Sequence, residues 1–230
     1  MRVRVYVDGF NLYYGGKGHA AQLPSPPPWK WIDVRALAEL VVARRWTGQS
    51  ARIEHVTYCT ARISSPTAAQ QRQDAYLEAL RRSGSVDLIE EGLFVERYAE
   101  LPLATRGKDN RPVLVRKAGR MQFVGVSRRE EKGSDVNVAT HLVVDALDGE
   151  MDAAVVISND SDLALAIRLV RDRMPVGTIN PQPTRAGVAN ALRPPKLAGS
   201  GHWFDQLAFA DFTASQLPDP CRGVPRPKGW

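Results

Sequence analysis

Ala153–Ser158 reads AAVVIS, apolar throughout and without the alternation of a strand that has one wet face. A strand of this kind has to be covered on both sides. The rest of the chain repeats the requirement. Short strand-like runs at Arg2–Val7, Arg52–Arg62, Val86–Val95 and Val176–Ile179 alternate with amphipathic stretches at Val34–Arg45, Ser65–Arg82, Asp135–Leu147 and Asp162–Arg171. Strands alternating with helices build a parallel sheet with helices on both faces. The expected fold is therefore α/β, three-layered, with a mostly parallel sheet of about five strands.

Within that frame Asp33 is placed to cap the helix over Val34–Arg45. Gly15–Trp31, rich in Gly and Pro, reads as a loop. Residues 96–132 hold ten Lys or Arg against five Asp or Glu. They read as a basic insertion in which Val113–Val115 pairs with Met121–Val126 as a hairpin. The domain is expected to span 1–195, with this insertion at about 96–132, and 196–230 to form a partly irregular extension. The tail from Pro218, rich in proline, is expected to be disordered or draped.

The acids matter most. In an open parallel sheet, ligands bind outside the carboxyl ends of the strands. Asp8 ends the first strand, and Asp160 and Asp162 follow the fourth. Asp135 starts a helix that reaches the same rim if it begins at that edge. Carboxylates brought together repel and raise one another's pKa, and a hard cation relieves the cost. Mg²⁺ or Mn²⁺ suits such a set better than zinc. An ion held by Asp8, Asp135 and Asp160, with Asp162 completing the shell or orienting water, would support phosphodiester hydrolysis. The competing reading is that each Asp simply caps the next helix.

Three blocks carry a resemblance: DGFNL at Asp8–Leu12, KGSDVNVATHLVVDA at Lys132–Ala146 and VVISNDSDL at Val155–Leu163. Together they resemble the signature of the NYN domain, the LabA-like group of the PIN-like nuclease superfamily, over about residues 3–180. The resemblance implies an Mg²⁺-dependent ribonuclease, with Asp8, Asp135, Asp160, Asp162 and Asn11 as catalytic positions. RNA is favoured over DNA on that resemblance alone. Many relatives carry an acid where this chain has His141. Asp145 lies ten residues past Asp135, roughly 15 Å along a helix axis, so the two do not share one ion. Asp145, His141, Lys132 and Ser158 are kept as supporting positions or as structural residues.

The formal charge of +6 favours polyanion partners without bearing on fold. Arg116, Lys117, Arg120, Arg128 and Arg129 are the candidate nucleic-acid contacts. Trp29, Tyr98 and Phe123 are candidates for base stacking, although Phe123 is expected to pack inward. Cys59 and Cys221 form no zinc or disulfide pattern. MRVRVYVDGF opens directly on a strand and leaves no room for a leader. No run approaches the roughly 18 apolar residues of a spanning helix. The expectation is a cytoplasmic nuclease with no membrane partner and an oligomeric state left open, a homodimer included. Two rivals stand beside it: a non-catalytic nucleic-acid-binding or regulatory module, and a metal-dependent enzyme acting on a small molecule. Gly16–Ala21 matches GxGxxA but lies well past the strand end, so no helix N-terminus awaits a pyrophosphate there.

Overall fold

The computed structural model describes the chain except residues 49, 64–66, 184–188 and 196–200 and the side chain of residue 129. In chain order the elements are β1 (Arg2–Asp8), α1 (Gly9–Ala20), α2 (Val34–Arg45), β2 (Arg52–Arg62), α3 (Ala68–Ser83) and β3 (Leu88–Pro102). The short strands β4 (Ala104–Arg106), β5 (Pro112–Leu114), β6 (Arg116–Lys117) and β7 (Arg120–Met121) follow, then β8 (Phe123–Lys132) and α4 (Ser134–Leu147). The chain closes with β9 (Ala153–Ile157), a 3₁₀ turn at Ser161–Leu163, α5 (Ala164–Arg171), β10 (Val176–Asn180), β11 (Trp203–Gln206) and α6 (Phe209–Ala214).

The sheet has seven strands among the described residues, in the order β11-β10-β9-β1-β2-β3-β8. All neighbours are parallel except β3 and β8. The count exceeds the expected five for two reasons. Trp203–Gln206 is too short to announce itself as a strand and is recruited by backbone pairing with β10. The second half of the basic insertion pairs with β3 itself, from Leu93↔Lys132 to Pro102↔Phe123. The expected hairpin of Val113–Val115 with Met121–Val126 is replaced by this longer arm and by two small pairs, β4–β5 and β6–β7. Phe123 stays exposed there because the arm stands clear of any helix layer.

Side-chain alternation divides the core. Val3, Val5, Val7, Val155 and Ile157 face the layer made by α1, α2 and α3. Tyr6, Ala154 and Val156 face α4 and α5, through Val138, Leu142, Ile167 and Val170. This is the two-sided cover that the apolar β9 requires. The residues after Leu217 are draped over the first of these cores. Cys221 and Val224 are buried, and Trp31 Nε1 donates to the Pro218 carbonyl at 3.0 Å.

Asp33 caps α2, accepting from the Ala36 amide at 3.1 Å. Thr67 caps α3; its neighbours Ser65 and Pro66 lie outside the described residues. The expected loop from Gly15 is overturned in its first part, because α1 continues to Ala20. Helix-interior glycine costs about 1 kcal/mol against alanine, so propensity alone argues for a break. Packing decides otherwise. A Cβ on Gly15 would meet the Pro181 carbonyl oxygen at 2.4 Å, and one on Gly16 the Trp29 ring at 2.5 Å. The glycines let backbone and rings approach the helix directly.

Gly15→Ala is therefore expected to lower stability by about 1–3 kcal/mol, despite alanine's better helix propensity. The obstructing atom belongs to the backbone and cannot swing away. Urea unfolding of the two proteins measures this, and a variant as stable as its parent would refute it.

Candidate functional site

β1 is followed by β2 on one side, while β9 returns to its other side. The carboxyl ends of β1 and β9 therefore flank the point where the strand order reverses, where α/β sheets open a crevice. Asp8 closes β1 and is buried. Its Oδ1 accepts from the Asn11 amide at 2.9 Å, and its Oδ2 from Asn11 Nδ2 and Ser158 Oγ, each at 3.1 Å. Asn11 Oδ1 in turn accepts from the Asn159 amide at 3.1 Å. Burial pushes the Asp8 pKa above the usual carboxylate range. Its hydrogen bonds with Asn11 and Ser158 pull it back, and the charge of Asp160 raises it further.

Asp135 reaches the same rim because of the arm. β3 runs on past the end of β2, and β8 brings the chain back to the level of Leu93, which pairs with Arg62 at the carboxyl end of β2. Gly133 makes the turn at φ +100, where a side chain would be strained, and α4 begins. Glu131, absent from the sequence reading, accepts from the Ser134 amide at 3.0 Å and from Ser134 Oγ at 2.6 Å. Carboxylate oxygens of Asp135, Asp160 and Asp162 lie within 4.8 Å of one another. A cavity of about 290 Å³ is lined by Asp8, Asn11, Glu131, Asp135 and Asp160, with Phe10 and Tyr14 at its side. Asp8 and Asp160 are also caps, of α1 and of the 3₁₀ turn. Capping and convergence thus coexist.

The supporting positions divide. Ser158 belongs to the rim: its Oγ bonds Asp8 and accepts from the Asp160 amide at 3.0 Å. Asp145 does not. It accepts from Tyr6 OH at 2.7 Å and pairs with Arg4 at 2.9 Å, which holds α4 to β1. His141 lies 3.4 Å from Glu90, and Lys132 pairs with Glu130 at 2.8 Å. Neither lines the acidic cavity. Of the basic contacts, Arg128 pairs with Glu130, and Arg116 donates to the Gly119 carbonyl. Lys117 and Arg120 face each other on β6–β7, and the side chain of Arg129 lies outside the described residues. None of the four described side chains lines the rim. Cys59, paired with Asp8 across the sheet, is no nucleophile: burial, then Glu90 and Asp8, push its thiol up to about 12.

The second feature of the rim was not legible at all. A cavity of about 380 Å³ adjoins the acidic one and shares Phe10 and Tyr14 with it. Its walls include Trp29, Tyr58, Tyr76 and Trp230, with Lys30 and Arg72 among them. Trp29, taken from the sequence as a base-stacking candidate, is 6% exposed and forms part of this wall. A Cβ on Gly9 would meet the Tyr58 ring at 2.6 Å. The glycine spacing of α1 was the one available signal, and it reads as a loop until the rings are in place.

No protein-family model matches the chain. The whole chain aligns with 6-hydroxy-3-succinoylpyridine 3-monooxygenase HspA of Pseudomonas putida. Identity is 29% over 252 residues, covering 100% of this chain and 75% of the monooxygenase. A solved protein of unknown function from Vibrio parahaemolyticus superposes with a TM-score of 0.49 at 13% identity. That match covers 90% of this chain and 93% of its own, and it is too slight a likeness to bear argument.

The monooxygenase match overturns the reading of the chain as a metal-dependent ribonuclease and hydrolase. The physical reason is that an acidic rim specifies a cation or a proton, not a phosphodiester, and one fold hosts many chemistries. The neighbouring cavity, partly open to solvent, has the size of a small-molecule site. No described helix is long and apolar enough to cross a membrane.

The raised pKa of Asp8 has a signed consequence. Between the ordinary value of 3.8 and the higher folded value, the folded chain binds a proton that the unfolded chain has released. The contribution of Asp8 to stability thus grows as pH falls through the folded pKa and levels off below the ordinary one. Relative to Asp8→Asn, the parent should gain stability from pH 7 to pH 4 in chelator-treated buffer. Parallel urea midpoints for the two proteins across that range would contradict it.

Proposed function

We propose that this chain is an oxygen-dependent oxidoreductase that hydroxylates a small aromatic or heteroaromatic molecule bearing a ring hydroxyl. The full-length match to a monooxygenase named for a hydroxypyridine substrate carries the reaction class. The pair of adjoining cavities supports the place. A cavity of 380 Å³ falls within the range of small-molecule sites, and eight aromatic residues contribute to its walls.

The substrate ring would lie in the aromatic cavity, with its hydroxyl turned past Phe10 and Tyr14 toward the acids. Asp8 and Asp160 are the groups suited to take the hydroxyl proton and return it. Burial raises the Asp8 pKa, which inclines this carboxylate to hold such a proton. A deprotonated hydroxyl makes the ring more electron-rich and so a better partner for oxygen. In the overall reaction one atom of O₂ enters the ring as hydroxyl and the other leaves as water. A reduced nicotinamide supplies the two electrons and, with a proton from water, balances the equation.

The oxygen set of Asp135, Asp160 and Asp162 fits a hard divalent ion, Mg²⁺ or Mn²⁺. Such an ion would supply charge neutralisation at the rim and a Lewis-acidic contact for the substrate oxygen. Asp8 would then stand behind it, held by Asn11 and Ser158.

The test is oxygen consumption by the purified protein with reduced nicotinamide and a panel of hydroxypyridines and phenols, with products weighed by mass spectrometry for one added oxygen. Asp8→Asn and Asp160→Asn should each cut turnover by about 10²-fold or more. Failure of every ring to draw down oxygen, with Mn²⁺ present, would sink the reading. So would turnover indifferent to both substitutions. A separate measurement concerns the ion. Mn²⁺ at 100 times its dissociation constant should add about 2.7 kcal/mol to unfolding. Asp135→Asn should remove most of that gain, and an equal gain in parent and variant counts against the ion.

A further inference from the structure

The aromatic cavity carries charge of one sign. Lys30, ahead of α2, and Arg72, in α3, both line it. Neither forms an ion pair with an acid among the described residues. Lys30 Nζ donates to the Gly229 carbonyl at 3.1 Å and lies 5.7 Å from the centre of the Trp29 ring. The charges that face it are Arg72 and Lys17, both positive. Arg72 makes no side-chain hydrogen bond to any described residue. Burial, then Arg72 and Lys17, hold the Lys30 ammonium below its ordinary pKa. Two half-buried cations that line one cavity and perturb one another are costly unless an anion joins them.

We propose that the aromatic cavity binds an aromatic acid, with the ring against Trp29 and Tyr58 and the carboxylate at Lys30 and Arg72. This rests on the small-molecule reading of the rim and adds the feature that selects among rings. Arg72 offers a planar fork and Lys30 a point charge, a combination that satisfies both oxygens of one carboxylate. The cations enter from the loop before α2 and from α3, whereas the acids end β1 and β9 and begin α4. A bound acid is thereby oriented: its charged group is drawn to the cations and repelled by the aspartates, so its hydroxyl end is the one presented to the acidic cavity.

The experiment compares 6-hydroxypyridine-3-carboxylate with 6-hydroxypyridine-3-carboxamide, which match in shape and differ in charge. Binding is read by quenching of tryptophan fluorescence, since Trp29 and Trp230 line the cavity. The carboxylate should bind about tenfold or more tightly than the amide. Lys30→Gln and Arg72→Gln should each erode that preference, and the double variant should abolish it. Circular dichroism confirms that the variants are folded. Equal affinity for the two compounds overturns the proposal. So does absence of carboxylate binding at millimolar concentration, or a preference that survives in the double variant. Anion preference without any oxygen-dependent turnover keeps the proposal and removes the functional reading above. Turnover of neutral rings with no anion preference does the reverse.

Discussion

The rim depends on one buried carboxylate. Asp8 has left water at the end of the central strand, and three donors from two elements compensate it: the Asn11 amide and side chain from α1, and Ser158 Oγ after β9. Removing a charge from water is expensive unless its lone pairs are met, so these bonds fix how β1, α1 and β9 meet. Asn11 extends the arrangement by accepting from the Asn159 amide, and Ser158 by accepting from that of Asp160. The loop that carries Asp160 and Asp162 is thereby set in place by Asp8 before any ligand arrives.

How much of this can be read from the residues depends on how local the signal is. The five parallel strands expected from the sequence and the cap at Asp33 are local, and periodicity with capping chemistry finds them. The meeting of Asp8 and Asp160 on one rim is legible too, because an acid at the end of a strand in a parallel sheet has only one edge to occupy, whereas Asp135 joins them only through the antiparallel arm. Three things were not. α1 contradicts its own glycine content, and only contacts with Trp29, Tyr58 and Pro181 explain it. β11 exists through its pairing with β10. The aromatic cavity collects residues from six separate stretches of chain, and no spacing in the sequence announces it.

The functional lesson follows from the same distinction. An acidic rim at a switch point describes an electrostatic device, one that holds cations or moves protons. What it acts on is decided by whatever adjoins it. Here the adjoining space is a ring-lined recess, and none of the described basic side chains expected to follow a polynucleotide lines either cavity. Asp145 shows the hazard of reading acids by proximity in sequence. It sits in the same block as Asp135, yet it serves to bind Arg4 and Tyr6 on the opposite face of the sheet from α1.

The glycine face of α1 has a bearing on how such a recess can diversify. The Tyr58 ring rests on bare backbone at Gly9 and the Trp29 ring at Gly16, so a substitution at either displaces a ring instead of reshaping the space between them. Freedom to change the bound molecule is left to lining side chains such as Ile63 and Ala69, where a methyl more or less alters the volume. Chains that share this architecture should therefore keep the two glycines for shape and vary at the lining side chains for what fits.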